Sequence, residues 1–248
     1  LFYFILIKNK EQHFSIISLK AGVSIGIWLF LGYAFQTIGL LYTTPGKAGF
    51  ITGLSVVLVP ILSYFLLKHK LHTNVVIGVI CATAGLYMIT TLQSTSFGKG
   101  DFFVLLGAFS FAMHIIMTGR HAKHYHAMPL TLIQIATVAI LSFICSLLFE
   151  SPSEMYQLEV LLQKEVFIAL LITSILATAF AFLAQTYFQA YTSPTRVALI
   201  FALEPVFAAL TSYFVIGEQF TISMIFGCCL ILAGIIVAEL PTLKKHEH

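Results

Sequence analysis

Residues 36–45 read Gln36-Thr37-Ile38-Gly39-Leu40-Leu41-Tyr42-Thr43-Thr44-Pro45, and 149 residues further on the chain reads Gln185-Thr186-Tyr187-Phe188-Gln189-Ala190-Tyr191-Thr192-Ser193-Pro194. Carried on at the same offset without a gap, the pairing of 36–90 with 185–239 gives fourteen identities. Among them are Ser63-Tyr64-Phe65 on Ser212-Tyr213-Phe214, and Gly78 and Gly85 on Gly227 and Gly234; Lys47 falls on Arg196. Apolar segments resemble one another through Leu, Ile and Val, but chance does not hold Gln, Thr, Pro and Gly in one register. The pattern reads as a duplicated unit.

The duplicated material is membrane helix. Charged residues make up 9% of the chain, hydrophobic residues 59%, and the mean hydropathy is +0.97, whereas a soluble domain carries about a quarter charged residues. About twenty apolar residues at 1.5 Å each cross a hydrocarbon core of about 30 Å. Eight runs meet that length: Ala21 to Leu41, Gly46 to Leu67, Asn74 to Leu92, Phe102 to Thr118, Pro129 to Phe149, Val166 to Gln189, Thr195 to Ile216 and Thr221 to Leu240. The expected fold class is therefore all-α and integral to the membrane. A net charge of +3 without a basic cluster excludes a nucleic-acid footprint. Cys81, Cys145, Cys228 and Cys229 lie inside apolar runs, which gives no zinc or redox spacing. No GxxxxGK[ST] loop is present to bind a nucleotide. No metal, cofactor or catalytic residue is expected.

Alternate loops differ in charge. Lys8, Lys10, Lys20, Lys68, Lys70, Arg120, Lys123, Arg196, Lys244 and Lys245 fall on one side, and Lys47, Lys99 and Lys164 on the other. Basic residues accumulate in the cytoplasm, so the C-terminus is expected there. Five helices separate Pro45 from Pro194, an odd number, so the two copies enter the membrane from opposite faces. That is an inverted-topology repeat, a common plan of secondary transporters. The second copy starts near Asp101, and 101 − 149 = −48 places the start of the first before Leu1. Ten helices in two five-helix units are expected in the intact protein. Here eight are complete, and Leu1 to Ile7 reads as the end of another. The expected domains are a shortened first repeat over 1–92, a second over 101–241 and a cytoplasmic tail over 242–248.

The stretch Tyr191-Thr192-Ser193-Pro194, then Ala198-Leu199, Leu203-Glu204-Pro205-Val206-Phe207-Ala208-Ala209-Leu210, Gly217-Glu218, Gly227 and Gly234 resembles EamA-type members of the drug/metabolite transporter superfamily. Tyr42-Thr43-Thr44-Pro45-Gly46-Lys47-Ala48-Gly49-Phe50, Gly78 and Gly85 repeat that likeness in the first copy. The resemblance covers nearly the whole chain. It implies two inverted five-helix units, cytoplasmic termini, a plasma (bacterial inner) membrane location, and export or exchange of metabolites, amino acids or drugs by alternating access. Two departures from symmetry stand out: His69 occupies the position of Glu218, and Ser55-Val56 that of Glu204-Pro205.

Glu204 is the sharpest candidate for the substrate pathway. An ionised carboxylate inside a span costs from about 2.5 kcal/mol upward and faces a cavity or a partner. Pro205 removes a hydrogen bond to the Phe201 carbonyl, which allows a kink and frees a polar backbone group; Pro60 is a second kink position. Glu204 would bind a proton, the coupling ion this reading calls for, or a cationic part of the solute. The competing reading is a structural glutamate at a helix contact. Gln36 and Gln185, each followed by threonine, are either solute-binding amides or interhelical hydrogen bonds. His114 is either a titrating pathway group or a helix-contact histidine. Trp28, Tyr33, Tyr64, Tyr187 and Tyr213 are either stacking surfaces for an organic solute or interfacial and packing aromatics; Tyr64 and Tyr213 correspond at the 149 offset. The loop His121 to His126 lacks a carboxylate or cysteine and reads as a solvated surface. The partners expected are a small-molecule solute and the lipid bilayer. A non-transporting receptor or assembly protein, and an intramembrane enzyme using Glu204 and His114, are the alternative functions.

Overall fold

The computed structural model describes residues 16–68, 72–89, 97–149, 158–217 and 221–240. The apolar opening Leu1 to Ile7, His69, Glu218, residues 90–92 and the tail lie outside the described residues. Among the described residues the order is α1 Ile16–Leu40, α2 Pro45–Gly53, α3 Ser55–Leu67, α4 Thr73–Ile89, α5 Lys99–His121, α6 Ala127–Phe149, α7 Lys164–Leu171, a π-helical segment Ile172–Phe180, α8 Ala181–Gln189, α9 Pro194–Phe201, α10 Glu204–Ile216 and α11 Ile222–Glu239. A single turn, Leu158–Leu161, precedes α7. Seven membrane-length apolar segments result, with α2–α3, α7–α8 and α9–α10 each acting as one, and the seventeen residues of α4 form a shorter eighth. At 1.5 Å per residue α4 is about 26 Å long, close to the hydrocarbon thickness. The chain is an all-α integral membrane protein.

Local chemistry sets the ends of these helices. Thr44 and Ser193 are extended N-caps whose hydroxyls accept from the backbone N–H of Lys47 and Arg196, and Pro45 and Pro194 follow at the first helical position. At the other end, α3 and α10 stop at left-handed residues, Lys68 with φ 54° and Gly217 with φ 77°. Glycine takes that conformation without strain, and the lysine does not. Thr44 and Ser193 differ by 149, and so do Lys68 and Gly217. Both the start and the stop of this span thus recur at the sequence offset.

Two spans that the hydropathy draws as continuous are interrupted near their middles. Leu54 N–H donates to both Phe50 and Ile51 carbonyls, at 3.2 and 3.1 Å, and Ala202 N–H donates to Ala198 and Leu199, both at 3.1 Å. Leu203 N–H then donates to Ile200 at 3.0 Å. The helix tightens locally to 3₁₀ geometry, which redirects its axis. Pro205 therefore sits in the first turn of α10, where a missing N–H is cheap, and does not kink the interior of one long helix. Pro60 does lie inside a helix, buried in α3. The first interruption has no proline; Gly49 and Gly53 weaken α2 ahead of it.

The described chain packs as two compact units. One comprises Leu31–Ile116 with Thr192–His248. Its core collects Val56 and Val59 of α3, Val79, Ala82 and Ile89 of α4, Val197 to Leu199 of α9, and Ile231 and Ala238 of α11. Among the described residues the α4–α11 contact is the most extensive between helices. A Cβ added to Gly85 would lie 2.5 Å from the Gly227 carbonyl oxygen, and one added to Gly78 would lie 2.5 Å from that of Gly234. Position 78 meets 234 while 85 meets 227, so the two helices run antiparallel. Asn74, at the start of α4, donates to the Leu240 carbonyl at 3.0 Å, and Ser223, at the start of α11, donates to the Met88 carbonyl at 2.7 Å. The other unit comprises Leu1–Phe30 with Met117–Tyr191. There Ala21 and Ile25 of α1 pack against Leu130 of α6, and Gly22 and Gly26 let α1 approach Ile133 and Thr137 closely.

Candidate solute site and family

In the first unit, Glu204 opens α10 directly after an interruption and is exposed. It lies within electrostatic range of Tyr33 on α1. One turn along α1, Gln36 donates from Nε2 to Thr52 Oγ1 at 3.1 Å, close to the other interruption. Ser55, the counterpart of Glu204, is the first residue of α3 and half-buried. These residues supply one carboxyl group and two hydroxyls beside the interruptions, from Glu204, Thr52 and Ser55, and one phenol and one amide from the continuous helix α1. The set contains hydrogen-bonding groups and one carboxyl group, and no nucleophile held against a base.

His114 is buried on α5 one turn from buried Ser110, a single polar stripe on that helix. Gln185 belongs to the other unit, where its Nε2 donates to Gln189 Oε1 at 3.4 Å within α8. The equivalent glutamines 36 and 185 thus have different surroundings: an interhelical bond for the first, an intrahelical one for the second. Tyr64 and Tyr213 share an outward placement, 51% and 45% exposed, each edge-on to the phenylalanine that follows it, Phe65 or Phe214, at 5.4 and 5.2 Å. Tyr33, on the helix that also carries Gln36, is 43% exposed and edge-on to Phe111 of α5 at 5.4 Å.

Among the buried polar residues that a reading of the sequence does not single out, three belong together. Gln134, Gln189 and Thr186 are 0%, 0% and 1% exposed, and Gln134 Nε2 donates to Thr186 Oγ1 at 3.2 Å between α6 and α8. The usable signal was a glutamine in the apolar run of α6, of the same kind that singled out Gln36. A second departure is the π-helical segment. Thr178 Oγ1 donates to the Thr173 carbonyl at 2.8 Å, five residues back, and Thr173 and Ser174 hydroxyls donate to carbonyls of the preceding turn. These hydroxyls compete for the backbone and widen the helix.

A model of the EamA-like transporter family matches residues 1–91 and 98–240. The chain belongs to this family. An uncharacterized transporter of Archaeoglobus fulgidus is 36% identical to this EamA-like protein over 221 residues, covering 89% of the chain and 69% of that protein. The uncharacterized transporter YyaM of Bacillus subtilis is 24% identical over 221 residues, covering 87% of the chain and 70% of that protein. A crystal structure with 20% sequence identity superposes with a TM-score of 0.73, over 90% of this chain and 84% of that one, a likeness of fold. This EamA-like chain is accordingly a membrane transporter and not an enzyme.

Proposed function

We propose that the protein is a secondary carrier that exports or exchanges a small metabolite, amino acid or drug-like solute by alternating access, with two five-helix units related as an inverted repeat. The observation that carries this reading is the pair of interruptions at equivalent positions, around Leu54 and Ala202–Leu203, with Glu204 at the second. Carriers built from inverted repeats place solute at interrupted helices, where unpaired backbone groups and a polar side chain meet. The antiparallel α4–α11 crossing supports the inversion: replacing each residue by its counterpart turns the contact 78–234 into 227–85, the other contact of the same crossing. A two-fold axis lying in the membrane plane has that property. The basic excess on one side of the membrane supports a cytoplasmic C-terminus in a bacterial inner membrane.

On this reading Glu204 carries the proton or meets a cationic solute group. The test is counterflow of an amino-acid and cationic-drug panel in proteoliposomes of the full-length protein, with and without a pH gradient. Flux that a gradient drives in the parent, and that Glu204→Gln abolishes, is the expected result. Equal flux in Glu204→Gln at every pH would remove the proton role. No flux of any compound under any gradient would overturn the carrier reading in favour of a receptor or assembly role.

A further inference from the structure

Six helices of the first unit form counterpart pairs at the 149 offset: α2 with α9, α3 with α10 and α4 with α11. Both members of every pair are described, and yet they pack differently. α3 and α9 come together in the core of the unit, which gathers Val56 and Val59 of the one with Val197, Ala198 and Leu199 of the other. The counterpart pairing, α10 with α2, has no comparable contact among the described residues. Pro194, Thr195 and Ala198 are buried where Pro45, Gly46 and Gly49 are exposed, and Val59 is buried where Ala208 is exposed. A Cβ added to Gly46 or Gly49 would have nothing within 4 Å, whereas one added to Gly53, at the end of the same helix, would run into Leu86. Glycine in the interior of α2 weakens the helix, and no contact of Gly49 in this conformation calls for it.

The difference follows the membrane normal. α3 ends at Lys68 and α9 begins beside Arg196, so these are the halves of their spans nearer the face that bears those two basic residues. α2 begins beside Lys47 and α10 ends at Gly217, which makes them the halves nearer the opposite face. The two interrupted spans are thus packed together toward one face and parted toward the other. Inverted repeats change access by exchanging the conformations of their copies, so the contact that α3 and α9 make in one state falls to α10 and α2 in the other. We propose that the structure is the state open on the Lys47 face, and that Gly46 and Gly49 of α2 close against Pro205 and Ala208 of α10 when that face shuts. Small residues there let the two helices approach closely, and the open space beside Gly49 is what the closing helix enters. The gate rests on the alternating-access reading above. Its members act as positioning residues, without touching solute.

The test uses the full-length protein in vesicles of both orientations, with its cysteines changed to alanine and Ser55→Cys as reporter at the first interruption. A charged, membrane-impermeant maleimide is the probe. In the otherwise unchanged protein the reporter should react from both faces. Gly49→Phe should keep the melting temperature of the parent, because its ring enters open space, and prevent the Lys47 face from shutting. The rate from that face should rise by about fivefold or more and the rate from the other should fall, as a shifted two-state equilibrium requires. Gly49→Ala should leave both rates near those of the parent, since its buried counterpart Ala198 is already alanine. Ala208→Phe should act as Gly49→Phe does, and it carries the test if Gly49→Phe fails to fold. Parent-like rates from both faces in the two phenylalanine variants would overturn the gate, whether or not flux is lost. Failure of both to fold would show these positions packed in the open state and overturn it as well. Reaction of the parent reporter from one face alone would overturn alternating access itself, and the gate with it.

Discussion

At the residue scale, the polar side chains of this protein divide by whether the structure closes their hydrogen bonds internally. Gln134 and Thr186 do so with each other, fully buried between α6 and α8. Gln134→Leu should leave Thr186 without its donor and destabilise the protein by about 1 kcal/mol, the scale of interhelical bonds in membranes; thermal unfolding in detergent measures it. Thr186→Val in that background should cost almost nothing more, because the two residues form one interaction. Glu204 and Gln36 were legible in the sequence as polar groups within apolar runs. Tyr33 was legible only as one of several candidate aromatics and Thr52 was not legible at all, because the packing of α1, α2 and α10 brings them there and leaves no local signal.

At the element scale, span positions follow hydropathy closely, since the requirement for about twenty apolar residues is written directly in composition. The interruption at Leu54 does not follow it. Its sequence, Gly53-Leu54-Ser55, contains no proline, and the tightening shows only in the paired bonds to Phe50 and Ile51. The π-helical stretch is similarly silent: Thr173, Ser174 and Thr178 are unremarkable residues until their hydroxyls select carbonyls. Glycine was the informative residue for packing. Gly85→Val should be severely destabilising, by about 3 kcal/mol or more, because the added carbons meet the Gly227 backbone and no rotamer relieves the clash. Gly49→Ala should be harmless or mildly stabilising, since nothing lies within 4 Å of its added carbon and alanine favours helix. Yield and melting temperature of the two variants, compared side by side, check both expectations.

At the scale of the whole molecule, the duplicated register led to the count of helices, while the grouping into compact units was not visible in it. Contact follows space: each unit takes helices from both sequence copies, and α1 and α5 each contribute to both units. Orientation is a separate matter and has its own test. A protease recognition sequence appended to the C-terminus should be cut in inside-out vesicles and protected in right-side-out ones, as the ten-to-three distribution of basic residues requires. The reverse protection pattern would invert the topology.

The α4–α11 crossing bears on ancestry as well as on packing. A contact in which position i meets j and j meets i is what two identical subunits make across a two-fold axis. A single five-helix polypeptide, inserted in the bilayer in both orientations, would meet its oppositely facing twin through the glycines of one helix and the hydroxyl or amide that stands at its start. Joining two such genes end to end would preserve the interface while freeing each half to drift. Ser55 and Glu204, unequal at equivalent positions, are what such freedom would leave behind.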